Sequence, residues 1–347
     1  MCILAREQRV KPNESKLKPE SLRMGLTPAI LAALLAFAAC THSAPAAQNS
    51  TTAAASSSQE QPADPPHPND SAPPPEFNAS RAMQYVKEIV AYGPRPIGSK
   101  NHQKVEDYIL SHLKGDQVER DDFEVNTTEG RFPVHNIIAK FPGARDGIIV
   151  IASHYDTNWP LRNENYVGAN DGASSSALLL EIANQLRGKK LDGYGIWLLW
   201  DDAEESMRLP WYDPESLYGV RHLAQKWQDD ETLKKMKAFL LEDMVGDADL
   251  NIEHVVEATP ALEDLIYQAA TNVGYQSHFF AREASVEDDY RPFLDRGVPS
   301  ADLIDFNYGY NNVFWHTEQD TLDKLSPKSL EIVGTVTLET VRLLNKR

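Results

Sequence analysis

Cysteine is almost absent from this chain. The two that occur, Cys2 and Cys40, both precede the segment with the composition of a folded domain, so neither a disulfide framework nor a thiolate metal site is available to that domain. Any metal must sit on His, Asp or Glu. Cations are also scarce: 34 Lys and Arg stand against 51 Asp and Glu, a net charge of −17. No segment concentrates the Lys and Arg that a phosphate backbone demands, which excludes nucleic acid as a partner, and the acidic surface mainly serves solubility. A serine-hydrolase elbow, Gly-x-Ser-x-Gly, is missing as well, although Ser174, Ser175 and Ser176 follow a Gly-rich turn.

What is present begins with a targeting pattern. The apolar run at residues 26–39 falls short of the roughly 20 residues that span a bilayer and fits a signal-peptide core. It ends in Phe37-Ala38-Ala39-Cys40, which resembles the bacterial lipoprotein processing site, where the cysteine is lipidated. The alternative is an ordinary secretory signal with an incidental cysteine. Met24 is a second candidate start, because residues 1–23 carry more charge than a signal needs before its core. Residues 41–76 are Ser, Ala, Thr, Gln and Pro with little to bury, the composition of an unfolded tether. The expected organisation is thus a targeting segment at 1–40, a tether at 41–76 and one domain at 77–347, exported to the bacterial envelope and touching a membrane only through lipid.

A length of 347 residues with 41% hydrophobic composition allows one α/β domain of roughly 250 residues plus tails. Met83, Val86 and Val90 at helical spacing, then Gly93-Pro94-Arg95-Pro96, predict a first helix and its stop; Val105, Tyr108, Ile109 and Leu113 line a second. Strands are expected at 123–125 and 134–141, and the continuous apolar run at 147–152 reads as a strand buried on both faces. Downstream, helix (178–186), strand (194–200), helix (217–227) and strand (238–241) alternate, followed by a candidate strand at 302–306 and a last helix opened by Ser326-Pro327. This is an α/β three-layer sandwich, its mostly parallel mixed sheet covered by helices on both faces.

In such sheets ligands bind beyond the carboxyl ends of the strands. Those positions hold His154-Tyr155-Asp156, Asp201 to Glu205, Glu242-Asp243 and, after the fourth candidate strand, Trp315 and His316. Imidazoles and carboxylates converging there form a site for a borderline cation such as Zn²⁺. Taken singly, each acid is more often a solvated loop residue or a helix cap, and Asp171 in Gly168-Ala169-Asn170-Asp171-Gly172 reads equally well as an N-cap. Glu204 and Glu205 differ, because adjacent carboxylates at a buried strand end repel unless one binds a cation and the other carries protons.

At these residues the chain resembles the M28 zinc-exopeptidase family, whose metal residues run His, Asp, Glu, Asp, His with a base glutamate beside the metal glutamate. His154, Asp171, Glu205, Asp243 and His316 fit that order, with Glu204 as proton carrier. The resemblance covers most of residues 80–345 and implies one of two activities. An aminopeptidase uses two zincs to activate a water; a glutaminyl-peptide cyclotransferase uses one zinc and converts N-terminal glutamine to pyroglutamate with loss of ammonia. Three segments are similar to the cyclotransferase branch. Eleven residues separate Glu205 from Leu217-Tyr218-Gly219 and include Trp211; residues 286–299 carry Asp288; and Phe314-Trp315-His316-Thr317 pairs a tryptophan with a zinc histidine.

The resemblance therefore implies one zinc per chain on Asp171, Glu205 and His316, with Glu204, Asp243 and Asp288 as the catalytic acids. Trp211 and Trp315 become walls for a peptide bearing N-terminal Gln, although core packing is the commoner fate of an aromatic beside a strand end. If Asp243 and Asp288 share a proton, Asp243 is withdrawn from a second metal; if both are ionised, His154 and Asp243 can bind a second zinc and the chain is an aminopeptidase. A lipoprotein that keeps the scaffold without its chemistry is a third reading, favoured only were a ligand or Glu204 missing. A monomer is expected.

Overall fold

The structure, a computed structural model, describes residues 76–347. The expected targeting segment, Cys40 and the tether up to residue 75 lie outside the described residues. The elements run α1 (Ala79–Val90), α2 (Lys100–His112), β1 (Gln117–Thr127), β2 (Gly130–Phe141), β3 (Gly143–His154), α3 (Ala173–Leu186), β4 (Leu191–Asp201), α4 (Tyr218–Asp229), β5 (Met236–Asp243), β6 (Ile252–Val255), α5 (Pro260–Asn272), β7 (Phe279–Ala284), α6 (Arg291–Leu294), β8 (Ser300–Ile304) and α7 (Pro327–Leu344).

Six strands form one sheet in the order β1-β2-β4-β3-β5-β8. β4, β3, β5 and β8 are mutually parallel, while β1 and β2 add an antiparallel edge. The last eight residues of β3, from Gly147 to His154, are all buried, as the unbroken apolar run requires of a strand covered on both faces. β1 alternates between exposed and covered positions, which suits an edge strand.

Two tryptophans of β4 show how both faces are covered. Side chains three apart in a strand point to opposite faces. Trp200 donates its indole N–H to Ser176 O of α3 at 3.1 Å, whereas Trp197 packs edge-on against Trp227 of α4, with ring centroids 5.5 Å apart. Phe293 of α6 continues the second layer, stacked on Phe239 of β5 at 4.3 Å. The three-layer mixed sandwich read from the sequence is the architecture found. Four elements had no counterpart there: α5, the four-residue α6, and the small parallel pair β6 and β7, whose four and six residues are too short to show a period.

The parallel core puts the ends of β4, β3 and β5 side by side. Asp201 and His154 are register partners, and Asp243 closes β5 on the other side of β3. The start of α4 is pressed against this edge: Tyr218 N–H donates to Ala203 O at 2.9 Å and Leu217 N–H to Glu204 O at 2.7 Å. Gly219 permits the approach, since a Cβ there would lie 2.2 Å from Asp202 O and 2.5 Å from Asn136 Oδ1. Overpacking of this kind costs about 1–3 kcal/mol. Gly219→Ala is accordingly expected to lower stability by about 3 kcal/mol, read as a lower denaturant midpoint with an unchanged slope.

Candidate active site

His154, Asp171 and Asp243 bring their ligand atoms within 4.8 Å of one another, as do Asp171, Glu205 and His316. Asp171 belongs to both groups. It precedes α3, yet the N-cap of that helix is Gly172 and no side chain caps it. The Asp171 carboxylate instead meets His154 Nε2 at 3.2 Å and His316 Nε2 at 3.4 Å, and accepts the Tyr166 hydroxyl at 2.5 Å. The capping alternative is therefore set aside. Gly172 has φ +83°, and a Cβ on it would come within 2.9 Å of the His154 ring, so glycine is what lets Asp171 reach the centre.

Glu204 and Glu205 diverge. Glu205 reaches His316 Nε2 at 3.1 Å and accepts from Asn158 Nδ2 at 2.8 Å. Glu204 turns toward His154 Nδ1, 3.7 Å away, and lines a cleft. Between strand end and glutamates sits Ala203 with φ +60°, a left-handed kink that ends the pleat. Burial pushes the Glu204 carboxyl well above the usual range, and Glu205, Asp288 and Asp156 add to that against the pull of His154. Glu205 is raised by burial too, with His316 opposing. Burial disfavours a charged His316, but Glu205 and Asp171 override it and hold the imidazole up to about 10.

The cleft measures about 160 Å³ and is lined by Glu204, Trp211, Asp243, Asp288, Phe306 and Trp315 among others. At ~30 Å³ per liquid water that is room for about five waters, the scale of one side chain. A larger groove of about 630 Å³ lies along α5 and β7, but it contains none of the converging residues. Trp315 stacks on the His316 ring at 3.9 Å with 19° between planes. Trp211 sits in the insertion after Glu205, whose stem is pinned by Met207 N–H to Glu215 O at 2.9 Å. Both tryptophans line the cleft and pack against the edge of the hydrophobic core.

Asp243 accepts from Met244 N–H at 2.8 Å and lies 3.2 Å from His154 Nε2; burial raises it. Asp288 is raised well above its usual range by burial and next by Asp243. The structure adds an acid that the sequence reading had placed only as the start of a strand: Asp302, inside β8 and buried, is in hydrogen-bond contact with Asp288.

Two supporting residues had no sequence signal as such. Arg95, read only as part of a helix stop, is wholly buried. It donates to the carbonyls of Tyr155 at 2.7 Å, Gly168 at 2.9 Å, Asp171 at 3.1 Å and, more closely, Val167, clamping the β3–α3 connection. Asp320 accepts the backbone N–H groups of Asn170 at 2.8 Å and Asp171 at 3.2 Å. Partners of this kind fix the orientation of metal-binding side chains.

A zinc ion fits the Asp171, Glu205 and His316 group. The group offers one imidazole nitrogen and two carboxylates, a set suited to Zn²⁺ with one position left open, and Glu205 Oε1 is buried without a protein donor. Like-charged carboxylates packed this closely call for a cation.

The family model for peptidase family M28 matches residues 136–341. A glutaminyl-peptide cyclotransferase from Drosophila melanogaster is 30% identical over 257 residues, 65% of this chain and 70% of that one. The crystal structure of an Acidobacteriales bacterium glutaminyl cyclase superposes with TM-score 0.78 at 45% identity, covering 82% of this chain and 100% of the other. A Zn-dependent exopeptidase from Parabacteroides distasonis gives TM-score 0.70 at 26% identity, over 79% and 99%. The chain belongs to peptidase family M28, the zinc exopeptidases. Within it, this is an enzyme of the glutaminyl-peptide cyclotransferase branch, whose members are zinc-dependent acyltransferases.

The Tyr166 hydroxyl makes a testable contribution to the metal group. Loss of such an outer hydrogen bond typically weakens metal binding 10–100-fold. Tyr166→Phe is expected to do so in a competition titration with a chromophoric chelator, with the fold unchanged by circular dichroism.

Proposed function

We propose that the chain converts N-terminal glutamine of peptides to pyroglutamate, with one zinc held by Asp171, Glu205 and His316 and with Glu204 as the proton carrier. The observation that carries this reading is the divergence of the two glutamates: Glu205 is engaged by His316 and Asn158, while Glu204 faces a cleft sized for one side chain between Trp211 and Trp315.

The reaction joins the substrate's own α-amine to its own γ-carbonyl carbon, and the bond from that carbon to the amide nitrogen breaks. A bound zinc supplies Lewis acidity toward a carbonyl oxygen. The indoles of Trp211 and Trp315 hold the glutaminyl side chain folded, so that amine and carbonyl meet within one bound molecule, a large saving of entropy. Glu204 accepts the proton that the amine loses and returns it to the departing nitrogen, which leaves as ammonia. A carboxyl raised by burial suits both halves of that transfer. Asp243 and Asp288 lie beside Glu204, and their raised affinities keep protons within the cleft. No water is consumed, in keeping with the small lined cleft.

A dizinc aminopeptidase is the second reading, favoured by His154 Nε2 lying 3.2 Å from both Asp171 and Asp243. Incubation with a Gln-initiated peptide separates the two. Cyclisation removes one ammonia from the peptide, whereas an aminopeptidase shortens it and retains two zincs per chain. Glu204→Gln is expected to lower kcat by ~10²- to 10⁴-fold with little change in KM; undiminished turnover would refute the proton-carrier role.

The proposal extends to where the enzyme works. The apolar run at 26–39 and its Ala38-Ala39-Cys40 end support export to a bacterial envelope and lipid attachment at Cys40, leaving a monomeric catalytic domain on a tether. Mass spectrometry of the mature N-terminus is expected to show an acylated Cys40, and Cys40→Ser to release the protein from the membrane fraction.

A further inference from the structure

Asp201 closes β4, and Asp289 follows Asp288 in the segment between β7 and α6. Both side chains are fully buried and are in hydrogen-bond contact with each other. Among the described residues, no N–H or O–H group reaches any of their four oxygens. Two buried carboxyls in contact with no other donor cannot both be ionised, so the pair retains a proton. The charged groups around them offer little relief. Of the groups that act on them most strongly, Asp156, Asp202, Glu204 and Asp288 are acids, and His154, which is basic, is already engaged by Asp171 and Asp243.

Topology gives this contact its meaning. One partner is fixed at the end of the strand that leads into Glu204 and Glu205, and the other is the immediate neighbour of Asp288. Asp288 accepts the Asp289 N–H at 2.6 Å, so the backbone that places Asp288 is the backbone that Asp289 anchors. We propose that Asp201 and Asp289 share one proton in a carboxyl–carboxylate hydrogen bond, and that this bond braces the 285–290 segment against β4 and so positions Asp288 beside Glu204. Neither residue touches the substrate; both are positioning residues. Burial raises Asp201 to about 6 and Asp289 well above its usual range, consistent with Asp289 holding the proton and donating it to Asp201.

The sign of the pH effect follows from proton counting. The unfolded chain ionises both groups near pH 4, whereas the folded pair keeps one proton to higher pH, so the pair's contribution to stability is greatest at acid pH and shrinks as pH rises. The amide introduced by Asp201→Asn donates to the Asp289 carboxylate without a titrating proton. Equilibrium unfolding of the wild type, Asp201→Asn and Asp289→Asn, measured between pH 5 and 7, is expected to show the wild-type unfolding constant rising at least tenfold per pH unit relative to either variant. Parallel pH profiles would overturn the shared proton. This measurement does not depend on which reaction the site performs, so its outcome is separate from that of the cyclisation assay. For the positioning role, Asp289→Ala is expected to lower kcat at least tenfold with KM within about threefold, and Asp289→Asn to recover much of that loss. Wild-type kcat in Asp289→Ala, or a loss that Asp289→Asn does not recover, would overturn it. Should Asp289→Ala fail to fold, the pH slopes of the two Asn variants still decide.

Discussion

The repulsion between carboxylates packed together out of water is the constraint on which the rest of this structure depends. Asp156, Asp171, Asp201, Asp202, Glu204, Glu205, Asp243, Asp288, Asp289, Asp302 and Asp320 are all buried at or near the carboxyl end of one sheet. Unscreened, such an assembly would drive the domain apart, since a charge removed from water must be paired or neutralised. Three devices neutralise it. Histidines and the wholly buried Arg95 supply positive charge, a candidate metal site gathers Asp171 and Glu205, and burial raises the proton affinity of Asp288, Asp289 and Asp302. Which device each acid meets decides what that acid can do.

Adjacent acids make the point three times. In Asp201-Asp202, Asp202 faces His102 Nε2 at 2.6 Å and accepts the His135 N–H at 2.8 Å. Burial would raise it, but His102 overrides this and holds it low. Its neighbour Asp201 faces another acid and is raised. In Glu204-Glu205 one side chain joins the metal group and the other turns into the cleft. In Asp288-Asp289 one lies beside Glu204 and Asp243, the other behind it against Asp201. Asp201-Asp202 sits at a strand end, where successive side chains point to opposite sides; Glu204-Glu205 and Asp288-Asp289 lie in loops beyond the strands, and in each pair the two sides differ in charge. Acid and base assignments at one pH arise from environments that push neighbouring groups apart in affinity.

The strands and the helices of the layers were legible because their apolar patterns are local, and the site acids could be listed because they follow those strands. The domain limits, the tether and Cys40 rest on composition alone. What sequence could not reveal is contact between distant positions. Arg95 reaches carbonyl groups 60 to 76 residues away, and any residue type can supply a carbonyl, so no pattern announces the clamp. Asp302 reads as an ordinary strand residue until β8 is placed beside β5. The Asp171 question, cap or ligand, was undecidable because both roles favour an aspartate before a helix; only the position of Gly172 and the direction of the carboxylate separate them.

The tightest coupling is between the wall of the cleft and the metal group. His316 has a left-handed backbone, φ +52°, a conformation that costs energy in a non-glycine residue and persists where its surroundings enforce it. Trp315 lies flat on the His316 ring while lining the cleft, so one dipeptide supplies both a wall of the cleft and an imidazole of the candidate metal group. On the facing side, the insertion that carries Trp211 springs from Glu205 and returns to the Glu204 carbonyl through Leu217 N–H. Each indole is therefore tied by a few covalent bonds to a group of the catalytic centre. A change that widens the cleft by shifting either wall also moves His316 or the glutamate pair, and for that reason specificity and chemistry in this domain are expected to change together.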